Sequence, residues 1–66
     1  MDLREARFKS RMTQWGLALR TGVNQSKVSL IERGYVVPTD EERKRICEAL
    51  NLDLHEIDWP KKEGRR

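Results

Sequence analysis

The stretch TQWGLALRTGVNQSKVSLIERG, residues 13–34, decides the fold. Gly22 lies near its middle, between two runs whose apolar residues recur at helical spacing. Glycine readily adopts the positive φ that a tight turn requires, and Ala18 is small where the two helices are expected to cross. We therefore predict two short helices joined by a tight turn. Their shared apolar seam is expected to consist of Leu17, Val23, Val28 and Ile31.

Capping signals predict the boundaries of the helices on either side of this turn. Three polar residues are well placed to cap helix N-termini, and Thr39 also starts a capping box with Glu42. The caps Thr13, Asn24 and Thr39 predict helices over about 14–21, 25–33 and 40–50, with Gly34 ending the second of these. An extended linker is expected at 35–38 and a short last turn at 54–58, capped by Asp53.

The N-terminal segment predicts a further helix over about residues 3–10. Leu3, Ala6 and either Arg7 or Phe8 are expected on its core side. Together these elements predict an all-α, compact domain of four to five helices over residues 1–60. Residues 61–66 are expected to form a flexible basic tail.

Length and composition limit the functions that the chain can have. A chain of 66 residues buries only about 60% of its unfolded surface, so such a domain is often dimeric. A single cysteine, Cys47, cannot form an internal disulfide and is expected to fill a small core gap. The residues suggest no nucleophile–base pair, metal cluster or phosphate-cradling glycine loop. We therefore expect no enzymatic activity, no metal, no cofactor and no small-molecule ligand, and no membrane-spanning segment.

Charge is distributed unevenly along the chain. Residues 1–38 contain seven Lys/Arg and three Asp/Glu, a net charge of +4, whereas residues 39–60 contain three and seven, a net charge of −4. The basic side therefore coincides with the two-helix motif, as a surface that faces a polyanion requires.

The two-helix motif resembles the Cro/repressor-type, or lambda repressor-like, helix-turn-helix family. The residues that carry the resemblance are Thr13-Gln14, Leu17-Ala18, Gly22-Val23, Val28-Ser29, Ile31-Glu32-Arg33-Gly34, Pro38 and Ala49-Leu50-Asn51-Leu52. The resemblance covers roughly residues 3–57. The chain departs from the family at Trp15 and Gly16, where polar helix formers are usual, and at Leu30, where a polar base-contacting residue is common.

The second helix of the motif is the candidate base-reading element. Its outward face presents Gln25, whose amide can donate to N7 and accept from N6 of adenine at once, and the resemblance implies the same role. Ser26 can contact a base or a phosphate. Leu30 fits either a thymine methyl group or the edge of the neighbouring helix. The expected base-reading residues are Gln25, Ser26, Ser29 and Leu30.

Further residues are expected to contact the DNA backbone or to support the fold. Gln14 begins a helix, where the dipole favours an anion, and the resemblance implies a phosphate contact there. The expected phosphate contacts are Gln14, Asn24, Lys27, Arg33 and Tyr35. A structural ion pair between Arg7 and Glu32 is expected, supported by the resemblance. Leu54, Ile57 and Trp59 form either ordinary core or a two-fold dimer patch.

These features predict a sequence-specific transcriptional regulator that binds double-stranded DNA. The default expectation is a homodimeric repressor on a palindromic operator, located in the cytoplasm with the nucleoid. A second hypothesis is a DNA-binding antitoxin whose main partner is a toxin. A third is a helix-turn-helix module that binds only proteins, and RNA polymerase is a further candidate protein partner.

Overall fold

The computed structural model describes residues 1–61, which form four α-helices and no strand. The helices are α1 (Leu3–Lys9), α2 (Gln14–Thr21), α3 (Gln25–Glu32) and α4 (Asp40–Leu50), and a single 3-10 turn (Leu54–Glu56) follows. The predicted all-α fold is confirmed. α1 and α3 each end one residue earlier than expected, and the last turn is shorter. Residues 62–66, most of the expected flexible tail, lie outside the described part of the chain.

Side-chain caps fix the start of each main helix. The hydroxyl of Thr13 accepts from the N–H of Gly16 at 2.9 Å, and Asn24 Oδ1 accepts from the N–H of Lys27 at 2.9 Å. Thr39 and Glu42 form the reciprocal capping box, with distances of 3.1 and 2.9 Å. Each cap satisfies an N–H group that has no partner inside the helix, so these boundaries follow from local sequence.

Two glycines with positive φ set the ends of α2 and α3. Gly22 (φ +78°) turns the chain between the two helices of the motif. Gly34 (φ +83°) ends α3 with the paired backbone bonds of a Schellman motif, from the N–H of Tyr35 to Leu30 O and from its own N–H to Ile31 O. The sequence predicted an extended linker over residues 35–38. The chain instead bends at Tyr35–Val36, directly after this motif, so the linker is not extended over its whole length.

The core lies where α2 contacts both α3 and α4, with α1 against α3. The predicted apolar seam between α2 and α3 is buried. Ala18 is partly buried and packs against it. Of the two alternatives for the core side of α1, the structure selects Arg7, which is buried, whereas Phe8 is 57% exposed. Cys47 is a buried core residue, and this burial raises the pKa of its thiol. The core residues are Leu3, Ala6, Leu17, Val23, Val28, Ile31, Ile46, Cys47, Leu50 and Ile57.

The Gly22 turn gives a test of the fold. Gly22→Ala should lower the free energy of unfolding by about 1–2 kcal/mol, because an L-residue at this φ is strained. Gly22→Asn is the matched control and should lose less, since asparagine tolerates the left-handed region. Urea unfolding of the three proteins measures the difference. Equal stability of wild type and Gly22→Ala would contradict the conformational role of this glycine.

Candidate nucleic-acid interface

The outward face of α3 forms one side of a shallow groove. Val28 and Ile31 point into the core, which turns the rest of the helix outward. Gln25 and Ser26 are exposed, and Ser29 and Leu30 are half-buried. The groove has a volume of about 460 Å³ and is lined by Gln14, Gln25, Ser26, Ser29, Leu30 and Arg33. The structure therefore brings the four candidate base-reading residues together with two of the candidate phosphate contacts.

The candidate phosphate contacts Asn24 and Tyr35 flank the two ends of α3 and do not line this groove. Asn24 is exposed at the N-terminus of α3, and its side-chain oxygen is occupied by the cap. Arg33 is the C-terminal cap of α3, and Tyr35 follows it with its side chain largely exposed. The groove thus has polar or cationic side chains at both ends of α3.

A buried ion pair joins α1 to α3. Arg7 Nε and Nη2 donate to the two carboxylate oxygens of Glu32 at 2.7 and 3.2 Å, and Nη1 donates to Met12 O at 2.8 Å. The two side chains are only 7% and 4% exposed. Two parallel bonds of this kind fix the relative orientation of the groups as well as their distance. The negative charge of Glu32 is therefore balanced inside the protein by the guanidinium group of Arg7.

Gln14 belongs to the same network, which sequence reasoning missed. Its Nε2 donates to Glu32 Oε1 at 3.0 Å, so one amide hydrogen is used inside the protein. The second amide hydrogen and the backbone N–H at the start of α2 are the groups with which Gln14 would meet a phosphate. Glu32 thereby orients Gln14 within the groove. Because the two residues are 18 positions apart in the chain, no local sequence pattern reveals this contact.

Lys27 forms a second ion pair between elements, and this one was not predicted. Its Nζ lies 2.8 Å from Glu42 Oε2, which joins α3 to the first turn of α4. This bond and the backbone N–H of Thr39 hold the pKa of Glu42 below its ordinary value of 4.5. A phosphate contact by Lys27 therefore competes with Glu42 for the same ammonium group.

The candidate dimer residues separate into core and surface. Ile57 is 3% exposed and packs in the core, the first of the two alternatives for this residue. Leu54 is half-exposed, and Trp59 is partly buried with its indole N–H donating to Leu54 O. Both line a groove of about 750 Å³ together with Val37, Arg43, His55, Ile57, Asp58, Pro60 and Lys61.

Two exposed aromatic residues were not explained by the sequence. Trp15, the second residue of α2, is 60% exposed. Phe8 lies between two guanidinium groups, with Cζ of Arg4 and of Arg7 at 5.3 and 4.8 Å from its ring centroid. The spacing of Arg4 and Phe8, four residues apart on α1, was the available signal for this contact.

Comparison with known protein families agrees with this geometry. A family model described as a helix-turn-helix domain matches residues 2–59. The chain belongs to this helix-turn-helix family. The match is consistent with the resemblance to Cro/repressor-type proteins, and domains of this kind bind DNA and are typically not enzymes. Neither the comparison with curated proteins nor that with solved structures finds a match.

Within residues 1–61, no group of three or more His, Cys, Asp or Glu residues is arranged to hold a metal ion. In the same part of the chain, no helix has the length and apolar character needed to cross a membrane.

The Arg7–Glu32 pair yields a stability prediction. Arg7→Met should cost about 3–5 kcal/mol of unfolding free energy, because it leaves a buried carboxylate without its cation. The control is Arg45→Met, which breaks the exposed pair with Glu41 and should cost about 0–1 kcal/mol. Urea unfolding measures both. The double variant Arg7→Met/Glu32→Leu should regain part of the loss, whereas equal effects of the two single variants would contradict the role of the buried pair.

The Glu42 contacts yield a pH prediction. A carboxyl whose pKa is lower in the folded state stabilises the protein above its unfolded pKa, and the effect is lost as pH falls through the folded value. The stability difference between wild type and Glu42→Gln should therefore be full above about pH 4.5 and shrink below it. Glutamine also fits a capping box, so this change tests the charge. Glu48→Gln, at an exposed site on α4, is the control. A difference that stays constant down to about pH 2 would exclude the ion pair as its source.

Proposed function

We propose that this helix-turn-helix protein is a sequence-specific DNA-binding transcriptional regulator that reads bases with α3. The observation that carries the proposal is the groove that gathers Gln25, Ser26, Ser29 and Leu30 beside Gln14 and Arg33. An α-helix fits the major groove, and the residues near its N-terminus meet the base edges. Gln25, the first residue of α3, is exposed and can make a bidentate contact with adenine.

The backbone contacts would be divided between the two ends of α3. Asn24 lies at its N-terminal end, Arg33 and Tyr35 lie past its C-terminal end, and Gln14 is held against Glu32, the last residue of α3. Contacts of this kind set the position of the helix without reading sequence. Lys27 joins them when it exchanges Glu42 for a phosphate.

We propose further that the protein acts as a homodimeric repressor on a palindromic site. Two copies would place their α3 helices in successive major grooves, about 34 Å apart. The exposed part of Leu54 and the rim of Trp59 are the candidate contact between the copies. Occlusion of the promoter is the mechanism that such binding supplies.

The same C-terminal groove supports a second candidate, a DNA-binding antitoxin that holds a toxin there. Its lining combines the apolar side chains of Leu54 and Trp59 with the charges of Arg43 and Asp58. A protein partner on this surface would leave the α3 groove free for DNA. The third hypothesis, a module that binds only proteins, has no support from the basic N-terminal half.

Selection of bound duplexes from a random DNA pool, at about 50 and 200 mM salt, tests the proposed function. We expect an inverted repeat that survives the higher salt, with half-sites about one helical turn apart. Gln25→Ala should lose about 1–3 kcal/mol of discrimination at one base position of each half-site.

The control for this experiment is Ser10→Ala, at an exposed site after α1 and outside the α3 groove. It should leave the selected sequence unchanged. Enrichment of a single half-site would exclude the homodimer but keep the base reading. Binding that vanishes with salt and enriches no sequence would contradict the proposed function.

A further inference from the structure

A basic pocket lies between α1 and the C-terminal half of α3. It has a volume of about 350 Å³ and is lined by Arg4, Arg7, Gln14, Ser29, Glu32 and Arg33. The pocket lining thus contains three guanidinium groups and one carboxylate. Both oxygens of that carboxylate already accept hydrogen bonds from Arg7, and one also accepts from Gln14. The pocket therefore retains an excess of two positive charges with no anion to balance them among its lining residues.

Arg7 gives the pocket a fixed, buried donor. A guanidinium has five N–H groups, and three of those of Arg7 are used by Glu32 and by the carbonyl of Met12. Within the hydrogen bonds of residues 1–61, one N–H on each of Nη1 and Nη2 is left for a ligand. Because the Arg7 side chain is only 7% exposed and held by three bonds, these donors have a set position before any ligand arrives.

Arg4 supplies an accessible cation at the mouth of the pocket. Its side chain is exposed, but its Cζ lies 5.3 Å from the ring centroid of Phe8, one turn further along α1. A cation over an aromatic face is attracted by the ring quadrupole, and the contact limits the positions that a long side chain samples. The Phe8 ring also contacts Arg7, whose Cζ lies 4.8 Å from the ring centroid, so this exposed side chain packs against two of the guanidinium groups that line the pocket.

The pocket is continuous with the groove along α3. Gln14, Ser29 and Arg33 line both of them. If the groove receives base edges, the neighbouring pocket faces the sugar–phosphate backbone that borders them. Guanidinium groups bind phosphate oxygens through paired N–H donors, which suits a single phosphodiester.

We propose that this pocket binds one phosphate of the DNA backbone, with Arg4 and Arg33 as its accessible cations and Phe8 as the residue that positions Arg4. The inference rests on the proposed function, since it names a further contact of the same DNA complex. It adds two residues of α1, Arg4 and Phe8, that the helix-turn-helix motif itself does not contain.

The salt dependence of DNA affinity tests the pocket. Arg4→Gln should weaken binding to every sequence alike and reduce the slope of log K against log salt by about 0.9, the contribution of one phosphate. Arg20→Gln is the matched control, because Arg20 is exposed on α2 and lies outside the pocket. It should leave the slope close to that of wild type. The sequence selected from a random pool should be unchanged in both variants.

Phe8 is tested by coupling to Arg4. Phe8→Leu keeps an apolar residue at an exposed site, so urea unfolding should show a folded protein. It should reproduce part of the affinity loss of Arg4→Gln, and the double variant should bind no more weakly than Arg4→Gln alone. Additive losses would show that Phe8 acts independently of Arg4 and would overturn its positioning role.

The remaining outcomes separate this inference from the proposed function. A wild-type protein without DNA affinity would overturn both. Specific binding with equal salt slopes for Arg4→Gln and Arg20→Gln would overturn only the phosphate pocket. A titration of the free protein with inorganic phosphate, followed by NMR at Arg4, gives a further test. Saturation at micromolar phosphate would also overturn the inference, since the pocket would then be a site for free anions.

Discussion

The buried ion pair between Arg7 and Glu32 is the constraint on which the α3 groove and the basic pocket beside it depend. Taking both charges out of water is costly, and the cost is offset only because each acceptor oxygen and three guanidinium N–H groups have partners. The pair fixes α1 against α3, and through Gln14 it fixes the start of α2 as well. The orientation of these three helices sets both the α3 groove and the basic pocket beside it.

Local sequence was sufficient for most of the fold. Thr13, Asn24 and Thr39 each accept from the N–H three residues later, and Gly22 and Gly34 act on their own backbone, so a linear pattern contains this information. The buried seam follows from helical spacing in the same way. The positions of individual helix ends differed by a residue, which is the range over which helix termini fray.

The errors and omissions came from interactions between residues far apart in the chain. Hydropathy favours Phe8 over Arg7 as the inward residue, yet Glu32, 25 positions later, makes burial of Arg7 tolerable and leaves Phe8 outside. Lys27 was predicted to contact phosphate, and its ion pair with Glu42 across the α3–α4 junction was not predicted. Ile57 was assigned to the core or to a dimer patch with equal reason, and only packing against the assembled helices decides for the core.

The central claim is that α3, the start of α2 and the basic pocket of α1 together face DNA. Amide and side-chain chemical shifts of the protein, followed by NMR during titration with a selected duplex, test it most directly. The account predicts that shifts concentrate on Gln14, Gln25, Ser26, Arg33 and Arg4 and stay small along the groove at Leu54 and Trp59, apart from changes due to dimerisation. Shifts confined to the C-terminal groove, or absent from α3 while the duplex is bound, would contradict the account.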